Sequence, residues 1–149
     1  MNTILRHVET DADIAACFPA MRALRPHLPD PAAFMQRVRR QAENGSYRLL
    51  VAWKISDVVG LAGYRMTENM IRGPFCYVDD LVVLPSERRS GLGVLLLDGV
   101  AAFARAEGID ALVLDTGLDN LLGQRFYFRY GMLPAAMRFA KTLGSENIG

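Results

Sequence analysis

One stretch of the chain decides its fold: Val82-Val83-Leu84-Pro85-Ser86-Glu87-Arg88-Arg89-Ser90-Gly91-Leu92-Gly93-Val94-Leu95-Leu96-Leu97. An apolar run ends at a proline, a polar loop with two arginines follows, and two glycines spaced by one residue open an apolar helix. Glycines let backbone amides come close to an anion, and the N-terminal end of a helix carries partial positive charge. The stretch therefore predicts a loop that binds a pyrophosphate, to which the two arginines add full charges.

The composition indicates a single globular domain. The chain has 149 residues, of which 51% are hydrophobic, and its net charge is +1. That content suffices for a sizeable core, and the balanced charge argues against general nucleic-acid binding. No apolar run is long enough to cross a membrane, and no long apolar signal segment follows Met1. We expect one domain over residues 1–149, located in the cytoplasm, with neither nucleic acid nor membrane as a partner.

The two cysteines, Cys17 and Cys76, lie far apart in the sequence and belong to no CxxC pair. Only His7 and His27 could join them in a metal site. The expected role of both thiols is that of buried small hydrophobic side chains, with a disulfide or a zinc ligand as the alternatives. We predict no structural metal.

The apolar periodicity and the chain breakers predict the element order β-α-α-β-β-β-α-β-α-β-β. The predicted strands are Thr3–Val8, Tyr47–Trp53, Val58–Met66, Phe75–Leu84, Ala111–Leu114 and one or two more within Met132–Thr142, and the predicted helices are a pair between Thr10 and Gly45, then Gly91–Glu107 and Asn120–Tyr130. Thr67–Pro74 is predicted to be a loop and Ser145–Gly149 a polar tail. The order indicates a mixed α/β (α+β) sheet, mostly antiparallel, with helices on both faces.

Three kinds of phosphate-binding loop place glycines before a helix. A P-loop requires GxxxxGK[ST], but neither Gly91 nor Gly93 is followed by lysine. A dinucleotide-binding fold would find its ribose-binding acid in Asp115, but it needs a small residue where Leu96 stands and a direct turn instead of the polar connector 85–90. The third kind of loop holds coenzyme A.

The segment 88–93 fits the pattern [RQ]xxGx[GA] and closely resembles the acyl-CoA loop of the GCN5-related N-acetyltransferases (GNATs). That family also carries an asparagine, a small residue three positions later and a tyrosine seven positions later, before a Gly-Phe pair. The residues of this chain in that register are Asn120, Gly123, Tyr127 and Gly131-Met132. The predicted element order resembles the family fold over essentially the whole chain. The departures, at Gly123, Phe128 and Met132, do not touch the expected chemistry.

The resemblance implies that acetyl-CoA is the cosubstrate, that it lies where two strands splay apart, and that no metal takes part. Strand backbone would pair with the pantetheine and loop amides would hold the pyrophosphate. The residues with implied cofactor-binding roles are Leu81, Val82, Val83, Arg88, Arg89, Ser90, Gly91, Leu92, Gly93, Val94, Asn120 and Gly123. The alternative role for the arginines is that of solvated loop charges, and for Asn120 that of a helix N-cap.

Three residues are candidates for catalysis. The resemblance assigns Tyr127 to the departing thiolate, and the alternative is a packed core tyrosine. The attacking amine must be neutral, so a base is expected, and either Asp79 or Asp80 could provide it. Alternation along a strand places these two carboxylates on opposite faces. Structural hydrogen bonding by both is the alternative, Glu68 is an outside candidate, and no covalent step is assigned to Cys76.

These features predict an acetyl-CoA-dependent N-acetyltransferase acting on a primary amine of a small molecule or a protein. The alternative is a non-catalytic acyl-CoA-binding sensor with the same fold. The acceptor pocket is expected from Arg25–Pro31, Thr67–Pro74 and Leu133–Arg138. Dimers are common in the family, so the apolar C-terminal strands are a candidate homodimer interface.

Overall fold

The computed structural model describes residues 2–144, and the chain divides into two compact units, Met1–Leu114 and Asp115–Gly149. The elements in chain order are β1 (Thr3–His7), α1 (Asp11–Leu24), α2 (Pro31–Gly45), β2 (Arg48–Lys54), β3 (Asp57–Asn69), β4 (Gly73–Val83), a 3-10 turn (Pro85–Glu87), α3 (Leu92–Ala106), β5 (Leu112–Leu114) and α4 (Leu121–Tyr130). The organisation as one domain stays a prediction. The tail predicted for Ser145–Gly149 lies outside the described residues.

The first unit contains a five-stranded sheet in the order β1-β2-β3-β4-β5. Each pair from β1 to β4 is antiparallel, and β5 runs parallel to β4. Helix α3 connects these two parallel strands, because a parallel neighbour cannot be reached through a tight turn. The predicted mixed, mostly antiparallel sheet is confirmed.

Helices cover both faces of this sheet, as predicted. On one face, α1 and α2 bury Phe18 and Phe34 in a core shared with Leu49, Val51 and Leu61 of the strands. On the other face, α3 lies so close that a Cβ at Gly99 would stand 2.9 Å from Cδ2 of Leu50 and 3.1 Å from Cδ1 of Leu5. The sheet is therefore buried on both sides over most of its area, and the apolar runs of β2 and β3 follow from this.

Within residues 2–144, no helix combines the length and the apolar character that a membrane crossing requires.

The loop predicted for Thr67–Pro74 is wrong, since β3 continues to Asn69 and β4 begins at Gly73. The side-chain oxygen of Asn69 accepts backbone N–H bonds from Ile71 at 3.0 Å and Arg72 at 2.8 Å, which closes the turn within three residues. The polar composition of this segment marks the exposed end of a long hairpin.

The strands predicted within Met132–Thr142 are also wrong, because the structure has no strand between Met132 and residue 144. The pattern of alternating apolar residues is present, but a strand needs a neighbour for its hydrogen-bond ladder. Leu133, Met137 and Phe139 are instead exposed by 79%, 74% and 85%. The apolar side chains of this segment are therefore not buried by the rest of residues 2–144.

Candidate functional site

Strands β4 and β5 separate beyond Val78. Their pairing joins only residues 76–78 to 112–114. Leu81, Val82 and Val83 keep antiparallel partners on β3 but have no strand partner on the other side among the described residues. An extended ligand can add to such an edge as an extra strand. The position of these three residues thus fits the role predicted for them.

The loop between β4 and α3 contains two residues with positive φ just before the helix begins. After the 3-10 turn, Arg89 has φ +69° and Gly91, the N-cap of α3, has φ +82°. A positive φ is easily adopted by glycine and disfavoured for residues with a Cβ. Arg88, Arg89 and Ser90 are exposed, and the Ser90 hydroxyl donates to the Glu87 carbonyl.

The backbone N–H groups of residues 89–94 are unused. In the part of the chain that the structure describes, none of them donates to an acceptor, and the first bond of the helix runs from Leu95 N–H to the Gly91 carbonyl at 3.0 Å. Free N–H groups at a helix start attract anions. Arg88 and Arg89 form no ion pair with any described residue. Gly91, Leu92, Gly93 and Val94 therefore present the donor set that a pyrophosphate needs.

Both candidate carboxylates lie on the same face of the sheet, so the predicted opposite orientation of Asp79 and Asp80 is wrong. The register pairs Gly63 with Asp80 and Tyr64 with Val78, which leaves Asp79 as an extra residue in β4. Such a β-bulge places two successive side chains on one side of the strand. Here both side chains lie on the face of the sheet that α1 and α2 cover. Asp80 pairs with Arg25 at the end of α1, and Asp79 pairs with Arg65 of β3.

Both carboxylate oxygens of Asp80 accept hydrogen bonds. Nε of Arg25 donates to its Oδ1 at 3.1 Å, and the hydroxyl of Tyr47 donates to its Oδ2 at 2.7 Å. Nη2 of Arg25 also donates to the backbone carbonyl of Asp79 at 2.7 Å. Arg25 is the C-cap residue of α1, so this side chain ties the end of that helix to the bulge.

Asp79 keeps one oxygen available. Nε of Arg65 donates to its Oδ2 at 2.9 Å, whereas its Oδ1 has no hydrogen-bond partner among the described residues. Burial raises the pKa of this carboxyl above its ordinary value, and the opposing effect of Arg65 does not cancel the shift. Asp79 therefore has the properties expected of a base more than Asp80 does.

Tyr47 and Gly63 complete the cluster, and the sequence analysis did not identify either. The Tyr47 ring lies under the guanidinium of Arg65, 5.4 Å from its centroid, and burial raises the pKa of its hydroxyl. A Cβ at Gly63 would stand 2.0 Å from the Tyr47 hydroxyl and 2.7 Å from Oδ2 of Asp80. A glycine in the middle of an apolar strand was the one available signal of this close approach.

Cys76 and Glu68 lie apart from this chemistry. Burial raises the pKa of the Cys76 thiol to about 11, so it is not a thiolate near neutral pH. Glu68 is exposed at the far end of the β3–β4 hairpin, opposite Pro74. Within residues 2–144, no group of three His, Cys, Asp or Glu side chains is placed to hold a metal ion.

The second unit carries the remaining predicted residues. Asn120 is the N-cap of α4: its Oδ1 accepts the Gly123 N–H at 3.0 Å, and its Nδ2 donates to Oγ1 of Thr116 at 3.0 Å. A Cβ at Gly123 would stand 2.4 Å from that Nδ2, which explains the glycine. Tyr127 is half-buried on α4, with its ring edge-to-face against Phe126 at 5.3 Å.

A small cavity lies beside Asp80. Its volume is about 130 Å³, and Arg25, His27 and Leu28 are among its lining residues. The first of the three segments predicted for an acceptor pocket therefore lines a cavity. Thr67–Pro74 does not line it, because the hairpin extends away from the bulge. Leu133–Arg138 belongs to the second unit.

Comparison with known proteins places the chain among acetyltransferases. The model of the acetyltransferase (GNAT) family matches residues 12–132. An uncharacterized N-acetyltransferase, YhdJ, of Bacillus subtilis is 27% identical over 83% of this chain and 86% of its own length. An aminoalkylphosphonate N-acetyltransferase of Salmonella typhimurium is 26% identical over 93% of this chain and 90% of its own.

Solved structures share the fold at low sequence identity. The aminoglycoside N-acetyltransferase AAC(6')-Iy in complex with CoA has a TM-score of 0.83 and 17% identity, over 95% of each chain. Glucosamine-6-phosphate N-acetyltransferase of Arabidopsis thaliana has a TM-score of 0.77 and 16% identity, over 97% of this chain and 100% of its own. These similarities show the architecture.

The Tyr47 hydroxyl is expected to contribute more stability than an ordinary buried hydroxyl. Tyr47→Phe removes a hydrogen bond to a carboxylate and should lower the free energy of unfolding by about 1.5–3 kcal/mol. Tyr64→Phe is the comparison, since its hydroxyl makes an equally short bond, 2.7 Å, to His7 and also interacts with Arg48 but meets no carboxylate; it should lose less stability than Tyr47→Phe. Urea denaturation measures both, and equal losses would contradict the role given to Asp80.

Proposed function

The chain belongs to the acetyltransferase (GNAT) family and is an acetyl-CoA-dependent N-acetyltransferase, and we propose that it acetylates the primary amine of a small molecule by direct transfer. The observation that carries donor binding is the open edge of β4 leading into unused N–H groups at the start of α3, and the similarity to an aminoalkylphosphonate N-acetyltransferase supports a small-molecule acceptor. An extended thioester ending in a pyrophosphate matches both features.

We assign donor binding to three parts of the chain. Backbone of Leu81–Val83 pairs with the pantetheine, and the amides of residues 89–94 bind the pyrophosphate, with Arg88 and Arg89 supplying charge. Asn120 caps α4 through Oδ1. This cap, packed on Gly123, supports a positioning role for both residues at the start of the helix that carries Tyr127.

In the proposed chemistry, the amine nitrogen attacks the thioester carbonyl, a carbon–nitrogen bond forms and the carbon–sulfur bond breaks. Asp79 accepts the proton that the nitrogen loses, directly or through one water, at its available Oδ1. The Tyr127 hydroxyl donates a hydrogen bond or the proton to the departing sulfur. Asp80, held by Arg25 and Tyr47, is a positioning residue.

Turnover distinguishes the enzyme from the alternative, a sensor that binds acyl-CoA without reacting. Release of free coenzyme A is measured with a library of primary amines. The proposal expects amine-dependent release with at least one of them. Tight binding of acetyl-CoA without release for any amine would contradict an enzymatic function and favour the sensor.

In the same assay, Tyr127→Phe tests the role of the hydroxyl at the leaving thiolate. It should lower kcat about 10–100-fold because the sulfur loses its donor, while the Kd of acetyl-CoA changes less than about twofold. Tyr130→Phe, one turn along α4, is the matched control and should retain kcat. An unchanged kcat in Tyr127→Phe would remove this residue from the mechanism.

The pH profile tests Asp79. Its carboxyl accepts a proton only when ionised, and burial raises its pKa, so kcat/KM should fall as the pH drops through a value above the usual 3.8. Asp79→Asn should lower kcat/KM about 10²-fold and abolish that acid-side fall. Asp110→Asn, an exposed site on the same unit, should keep the wild-type profile. After correction for the protonation of the acceptor amine itself, an unchanged fall at the acid step in Asp79→Asn would exclude this base.

We also propose that the protein is a homodimer in the cytoplasm, where acetyl-CoA is available. Support for the dimer comes from the second unit, whose exposed large apolar residues are Leu118, Leu121, Leu122, Phe128, Leu133, Met137, Phe139 and Leu143. Patches of this kind mark interaction surfaces. A sedimentation mass equal to that of one 16.5 kDa chain would contradict the dimer.

A further inference from the structure

The cavity beside Asp80 has an unusual balance of charge. Its ionisable lining residues are Arg25, His27, Arg37, Tyr47 and Asp80. Both oxygens of Asp80 already accept hydrogen bonds, from Arg25 and from Tyr47. The lining therefore offers one carboxylate whose oxygens are already occupied, and two further donor side chains, Arg37 and His27.

Those two groups are available to a ligand. Arg37 on α2 and His27 in the α1–α2 connection are both exposed. Neither forms an ion pair or a side-chain hydrogen bond with any residue from 2 to 144. The neighbouring Arg39 is different, because it is paired with Asp11. An unpaired guanidinium and a second unpaired N–H donor that line a small cavity attract and orient anions.

The apolar part of the cavity limits the size of such a ligand. Leu28 and Phe34, 5% and 3% exposed, form part of its wall, and the volume is about 130 Å³. This space suits a few non-hydrogen atoms and not an extended oligosaccharide or peptide. The bulge that carries Asp80 also carries Asp79, the proposed base, on the same face of the sheet.

We propose that the acceptor is a small primary amine that also bears an anionic group, a carboxylate, a phosphonate or a sulfonate. Arg37 and His27 bind the anionic group, and the amine lies toward Asp79. This inference rests on the proposed function and adds the substrate class to it. It also separates the chain from acetyltransferases of aminoglycosides, since a polycationic acceptor would meet the charge of Arg37 unfavourably.

A panel of amines of similar length tests the substrate class. The anionic members are 2-aminoethylphosphonate, β-alanine and taurine, the neutral member is propylamine, and the dicationic member is ethylenediamine. We expect kcat/KM for at least one anionic amine to exceed that for propylamine about tenfold or more, with ethylenediamine poorest. Turnover that is equal for all members, or best with ethylenediamine, would overturn this inference and leave the enzymatic function intact. Acetyl-CoA binding without turnover of any amine would overturn both.

Reversing the charge of Arg37 tests whether this residue causes the preference for anionic amines. Arg37→Glu should raise the KM of the preferred anionic amine about tenfold or more. The KM of propylamine, the kcat and the Kd of acetyl-CoA should each change less than about twofold. Arg40→Glu, the same change at another exposed position of α2 outside the cavity lining, is the matched control and should leave all four constants unchanged. Equal effects of the two substitutions would show that only the overall electrostatic field of the protein acts on the amine, and would exclude a specific contact with Arg37.

Discussion

The extra residue at Asp79 is the constraint on which the rest of the site depends. Asp79 has no opposite residue in the pairing of β4 with β3. For this reason Asp79 and Asp80 face the same pair of helices. Arg25 then ties the end of α1 to the bulge, and Arg65 brings α2 into the same network through its bond to Gln41. The pairing of β4 with β5 also ends at Val78, immediately before this irregularity. One inserted residue thus coincides with the open edge on one side and the carboxylate cluster on the other.

The geometry of the proposed phosphate-binding loop was predictable because it depends on local backbone chemistry. Two glycines, two arginines and a following helix are consecutive in sequence, and the structure gives Gly91 the positive φ and the unused amides that this pattern implies. The capping role of Asn120 was likewise readable from a polar residue before a helix.

The cluster around Asp79 and Asp80 was not predictable, because its contacts join residues distant in sequence. Tyr47 meets Asp80 across 33 positions, and Arg25 meets it across 55. Strand alternation gave the wrong orientation for Asp79, since no local signal announces a bulge. The C-terminal strands failed for a related reason: the apolar pattern around Phe139 predicts burial but not which surface provides it. Pairing partners are a property of the tertiary fold, and sequence periodicity does not contain them.

The close approach of the Tyr47 hydroxyl to Gly63 limits which amino acids these two positions can carry. Position 63 has no room for a methyl group while a tyrosine hydroxyl occupies the space where its Cβ would be. Position 47 in turn can keep that hydroxyl only beside a glycine. Substitution at either position alone removes a bond or creates an overlap, whereas a paired exchange, a side chain at 63 with a shorter one at 47, restores the volume. The two positions should therefore change together among related chains, although they are 16 residues apart and only Gly63 lies on a strand.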